Sequence, residues 1–118
     1  MIKEVAFVAI AVSDFERARK FYEQTMKLKP ALQAAGMSWV EYEVGATTLG
    51  VGSHPAWQPS RDGTTVAFEV EDIDAAIEEL RTQGVEFDMD KTETPVCWMA
   101  QFRDPDGNKL LVHKRKTT

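Results

Sequence analysis

The residues best suited to chemistry are two histidines, His54 and His113, the single cysteine Cys97, and two glutamates in strand-like runs, Glu41 and Glu69. An imidazole can take a proton or bind a metal near neutral pH. No second ligand is evident beside His113 in the sequence, so a structural role is the plainer reading. A desolvated Glu41 could act as general base or pair with a cationic ligand, or it could be an ordinary strand carboxylate. A nucleophilic thiol needs an activating base. None is evident for Cys97, which reads as a buried, inert thiol facing the same way as Met99. His54 falls in a Pro-rich connection and is expected to be solvated. Trp57 and Trp98 could gate a recess, although strand alternation puts Trp98 on the face opposite Met99.

These residues sit in a chain of 118 residues, long enough for one domain with its own core. Net charge is −5 and the pI is near 5.0. This argues against a nucleic-acid partner, which needs a basic face. The one basic run, Lys114-Arg115-Lys116, reads as a solvated tail. One cysteine excludes an internal disulfide, no apolar run approaches the ~20 residues of a membrane helix, and Met1-Ile2-Lys3-Glu4 lacks a signal-peptide pattern. The expectation is a cytoplasmic protein with no membrane partner.

The chain repeats itself at about half its length. Val8-Ala9-Ile10-Ala11-Val12-Ser13-Asp14-Phe15 and Val66-Ala67-Phe68-Glu69-Val70-Glu71-Asp72-Ile73 are each a β-rich run leading through Asp into an amphipathic stretch. Phe15, Ala18, Phe21, Tyr22 and Met26 have helical spacing, as do Ile73, Ala76, Ile77 and Leu80. Ser13 with Glu16, or Asp14 alone, can cap the first helix, and Gly84 can end the second. Strands follow at Trp39 to Val44 and Thr47 to Gly52. They recur at Val96 to Arg103 and Asn108 to His113, around the turn Asp104-Pro105-Asp106-Gly107. A shorter strand is expected near Pro30 to Leu32 and near Glu86 to Met89. The spacing predicts an α+β fold: two βαβββ half-repeats, about 1–53 and 64–116, joined by a linker at 54–63. They form a cupped mixed sheet with helices on its convex side.

Strand alternation sorts the side chains between the two faces. Pairing Asp104 with Asn108 sets Phe102 against Leu110 on the helix side. Gln101 then opposes Leu111, and Met99 opposes His113, on the concave side. In the first half, Val44 pairs with Thr47. Tyr42 and Leu49 then face the helix, while Glu41 opposes Gly50 and Trp39 opposes Gly52 in the cup. Val8, Ile10 and Val12 pack inward, as do Val66, Phe68 and Val70. Phe7 and Ala9 point into the cup, as do Thr65, Ala67 and Glu69. The predicted floor is small: Ala9, Gly50, Gly52 and Ala67. Phe7, Trp39, Met99 and Leu111 stand around it, a lining suited to a flat or greasy molecule. The same residues could instead fill a second core or a dimer interface.

The segment from Val8 to Tyr22 resembles the first half-motif of the vicinal oxygen chelate superfamily, which includes glyoxalases, bleomycin-resistance proteins and dioxygenases. Ala67 to Ala76 is similar to its second-half counterpart, and Phe102 to Asn108 to its closing hairpin. Lys27 stands where the family commonly has a helix-ending glycine. The resemblance implies a fold-level role for Glu69. It also implies metal-ligand positions at Phe7, Gly50, Thr65 and Leu111. Three of these side chains cannot bind a metal and a lone threonine is a poor ligand, so no metal and no cofactor is expected. That removes the basis for the family's metal-dependent reactions and leans the reading away from an enzyme.

The expected function is metal-independent binding of a small molecule, as in members that sequester an antibiotic such as bleomycin. The ligand would be aromatic or cationic. Its predicted contacts are Phe7, Trp39, Glu41 and Gly50 in the first half, and Thr65, Met99, Gln101, Leu111 and His113 in the second. The alternatives are an enzyme with a non-family site based on Glu41 or His113, or a non-catalytic dimeric interaction module. A homodimer is implied by the resemblance, with half-repeats paired within a chain or swapped between chains.

Overall fold

The computed structural model describes residues 1, 3–33, 35–95 and 97–116. The chain forms two compact units, 1–60 and 61–118. The segment from His54 to Ser60, expected as linker, thus belongs to the first unit.

In the first unit, β1 (Val8–Ala11) leads into α1 (Phe15–Lys20), followed by β2 (Pro30–Gln33), β3 (Trp39–Val44) and β4 (Thr47–Gly52). The sheet order is β1-β4-β3-β2, with β1 parallel to β4 and the other pairs antiparallel. Asp14 caps α1 by accepting from the Arg17 N–H at 3.0 Å. The predicted helix runs on past Lys20, but as a π-helical segment, Phe21–Thr25. It closes with the Leu28 N–H donating to the Tyr22 carbonyl and with Lys27 at φ +64°. Lys27 therefore occupies the left-handed conformation that a glycine takes without a Cβ clash.

Ile10, Val12, Ala18, Tyr22, Tyr42, Leu49 and Val51 make the core of this unit. Val8, expected in it, is 38% exposed at the start of its edge strand.

The second unit repeats the plan with β5 (Thr65–Glu69), α2 (Ile73–Thr82), β6 (Phe87–Glu93), β7 (Cys97–Arg103) and β8 (Lys109–Arg115), ordered β5-β8-β7-β6. Val96, expected to open the third strand, lies outside the described residues. Asp72 caps α2, and Ile73, Ile77 and Leu80 bury one side of it. Phe68, Ala100, Phe102, Leu110 and Val112 complete the core. The β7–β8 turn is held from within. The Asp104 carboxylate accepts from the backbone N–H groups of Asp106 and Asn108 and from the Asn108 amide, while Gly107 sits at φ +86°.

Strand β8 runs through Arg115, so Lys114-Arg115-Lys116 is not a solvated tail. Lys114 and Arg115 pair with Trp98 and Cys97 in the ladder. The Lys116 ammonium lies 5.0 Å from the Trp98 ring centre and pairs with Glu93.

Candidate functional site

The register predicted for the first unit is the register observed. Glu41 opposes Gly50, Trp39 opposes Gly52 and Tyr42 opposes Leu49. Four of the expected contact residues, Phe7, Trp39, Glu41 and Gly50, come together here. Trp39 does not stand beside a glycine floor as expected; it lies across it. A Cβ added at Gly50 would come 2.3 Å from Cη2 of Trp39, and one at Gly52 would come 2.6 Å from its Cε3. The two glycines thus make a trough that the indole fills, leaving Trp39 only 9% exposed.

Two further aromatic rings meet this indole edge-on: Phe7 at 5.1 Å between centres and Trp57 at 5.8 Å. Both remain open to solvent, at 45% and 42% exposure. Trp57 is held by a small turn in which its N–H donates to the His54 carbonyl, and its ring lies 5.3 Å from the His54 imidazole. His54 is exposed, as expected, and its Nδ1 accepts from the Ala56 N–H. Beside this turn is an open cleft of about 450 Å³ whose wall includes Val12, Ser38, Ser53, His54 and Trp57.

Glu41 is half-buried, and its Oε2 accepts from the Trp39 indole N–H at 2.9 Å. One carboxylate oxygen is therefore committed to fixing Trp39. Trp57, considered only as a gate, is part of the aromatic surface. The signal for it was the pair of glycines on one strand face opposite a tryptophan.

In the second unit, Thr65, Met99, Gln101, Leu111 and His113 share the sheet face predicted for them. Met99 opposes His113, Gln101 opposes Leu111, and Thr65 pairs with Lys109. Gln101 donates to the Asp88 carboxylate, which also binds Arg103. Cys97 is buried, with its Sγ 3.1 Å from the Thr94 hydroxyl, and among the described residues no imidazole or carboxylate is bonded to it.

No second ligand is evident beside His113 in the sequence, but the fold brings Glu69 to it. Parallel pairing of β5 with β8 sets Glu69 beside His113, with Nδ1 2.6 Å from Glu69 Oε1. The other carboxylate oxygen accepts from the Arg115 backbone N–H at 2.9 Å. That N–H bond, then the bond to His113, holds the Glu69 carboxyl below its usual range.

The metal positions implied by the sequence resemblance do not fit a metal. The side chains of Phe7, Gly50 and Leu111 carry no donor atom, and the Trp39 ring covers Gly50. Among the described residues, no group of three or more His, Cys, Asp or Glu side chains is placed to hold an ion. Among the same residues, no helix is long and apolar enough to cross a membrane.

Comparison with known proteins agrees with this architecture. Residues 4–112 match the family described as the Glyoxalase/Bleomycin resistance protein/Dioxygenase superfamily. A Bacillus subtilis (strain 168) protein, described as uncharacterized protein YetH, is 30% identical over 118 residues, covering 95% of this chain and 98% of that one. The crystal structure of TnmS3, an antibiotic binding protein from Streptomyces sp. CB03234, superposes with a TM-score of 0.82 at 26% identity, covering 98% of each chain. A superfamily member from Sphaerobacter thermophilus DSM 20745 superposes with a TM-score of 0.78 at 26% identity, covering 96% of this chain and 98% of that one.

Proposed function

This chain belongs to the Glyoxalase/Bleomycin resistance protein/Dioxygenase superfamily, and from that premise we propose that it binds a planar aromatic or cationic small molecule without a metal. The observation that carries the reading is the Trp39 indole seated across Gly50 and Gly52, with Phe7 and Trp57 edge-on to it and exposed. Exposed aromatic rings around a buried one offer apolar area and π-faces to a flat or positively charged ligand. Glu41 adds negative charge beside them, and the overall charge of −5 has the sign a cation favours. The likeness to TnmS3, an antibiotic binding protein, supports sequestration of such a compound.

Metal independence rests on the donor set. A side chain at position 50 could reach a metal only after Trp39 had left the trough. A second copy of the chain is the expected protein partner, and sedimentation velocity tests it by mass.

The deciding experiment is a thermal melt of chelator-treated protein against divalent metals and against aromatic and cationic antibiotics, with tryptophan fluorescence recorded in parallel. A ligand at 100 times its dissociation constant stabilises by about 2.7 kcal/mol. Stabilisation and quenching by an organic compound, lost in Trp57→Ala and Phe7→Ala, is the expected result. A saturable shift with one metal and none with the organic panel overturns the reading.

A further inference from the structure

The second unit carries a pair that this reading does not use. Glu69 and His113 are neighbours across the parallel β5–β8 ladder, 44 residues apart in sequence, with Nδ1 to Oε1 at 2.6 Å. An ionised carboxylate can only accept, so this contact requires the proton to be on Nδ1. That leaves Nε2 as the nitrogen not bonded to Glu69, with a lone pair whenever the ring is neutral. The His113 side chain is 22% exposed and that of Glu69 48%, so both meet solvent.

The surroundings suit an acceptor. Opposite His113 on β7 is Met99, and beside it on β8 is Leu111, neither of which donates a hydrogen bond. Among the described residues, the charged groups acting on Glu69 are His113 and Arg115. Arg115 lies beyond Glu69 on β8 and gives it a backbone N–H, and Cys97 opposite Arg115 is buried against Thr94. A carboxylate that fixes the imidazole tautomer and balances the imidazolium is the arrangement by which enzymes orient a histidine base.

We infer that His113 Nε2, oriented by Glu69, is a proton-accepting site for a ligand bearing an acidic hydroxyl, a phenol being the simplest case. In the step, the ligand O–H bond breaks and an N–H bond forms at Nε2. The phenolate that remains is paired with an imidazolium, which is itself paired with the Glu69 carboxylate. No other reactant is required. The inference concerns the second unit alone and needs no ligand on the aromatic surface of the first.

Two measurements test it. Long-range nitrogen–proton NMR of the imidazole rings, assigned with His54→Gln, should show neutral His113 with its proton on Nδ1. A proton on Nε2 overturns the inference. The second probe is 4-nitrophenol, held at a pH where it is mostly protonated when free. Its yellow phenolate should increase on adding wild-type protein and not on adding His113→Gln. Glu69→Gln keeps an acceptor for Nδ1–H but removes the balancing charge, and should cut the increase about tenfold. No increase with wild-type protein, or an equal one with folded His113→Gln, overturns the inference. Quenching by compounds that stack on Trp57 is unaffected either way, so the two readings fail separately.

Discussion

The indole of Trp39 lies where a Cβ on Gly50 would have to be, 2.3 Å from its Cη2. Both neighbours of that position are strand residues in a fixed ladder, so neither backbone can retreat without breaking the Glu41–Gly50 and Trp39–Gly52 pairing. Gly50→Ala should therefore expel or tilt the ring and destabilise the protein by about 1–3 kcal/mol. Urea denaturation gives the loss, and red-shifted tryptophan emission shows that the ring has moved into water. An unchanged midpoint and spectrum would mean that the ring does not sit in the trough.

Tyr42 is fully buried, and its hydroxyl donates to Glu23 at 2.9 Å, while Glu23 also takes Arg19. Burial first, and the Glu23 carboxylate second, push the phenol well above its ordinary range. Above about pH 10 the unfolded chain releases a proton that the folded one keeps, so stability falls as pH rises from there. Tyr42→Phe should lose about 1–2 kcal/mol at neutral pH and lose less on going to high pH. Melts from pH 7 to 11 test both parts.

Lys27 holds φ at +64° with a Cβ in place. A non-glycine residue there costs about 1 kcal/mol relative to glycine. Lys27→Gly should raise stability by about that amount, even though it removes the Lys27 ammonium bond to the Gln24 carbonyl. Calorimetry should show a Tm higher by a few degrees. A lower Tm would show that the side-chain bond outweighs the strain.

Glu69 has its carboxyl held low by the Arg115 N–H and His113. Its folded pKa lies below its unfolded one, so its contribution is present above the unfolded value and is lost as pH falls through the folded one. The Tm difference between wild type and Glu69→Gln should be open at neutral pH and close on acidification. A difference that persists to the acid end would assign the effect to the loss of the Arg115 contact alone.

Much of the fold was legible because it rests on local rules. Asp14, one of the two caps its sequence context offers, caps α1, and the turn at Asp104 to Gly107 sets the β7–β8 register by its own chemistry. Turn length and strand alternation then dictate which side chains share a face, so the pairing of Trp39 with Gly52, Glu41 with Gly50 and Met99 with His113 follows from the sequence. Strand ends were less legible. Strand β6 runs to Glu93 rather than stopping at Met89, because irregular pairing at Phe87, Met89 and Thr92 interrupts the alternation.

The sequence by itself determined the repeat, the elements, the faces, and the absence of side-chain donor atoms at Phe7, Gly50 and Leu111. Only the tertiary structure decided what those faces do. Whether Trp39 stands beside Gly50 or lies over it is a rotamer choice, made by Phe7 and Trp57 closing on the ring. Whether His113 has a partner depends on how β5 aligns against β8, a parallel pairing that no turn enforces. Short-range rules fix what is near in the chain. Contacts between distant segments are set by packing, and that is where the chemistry of this protein lies.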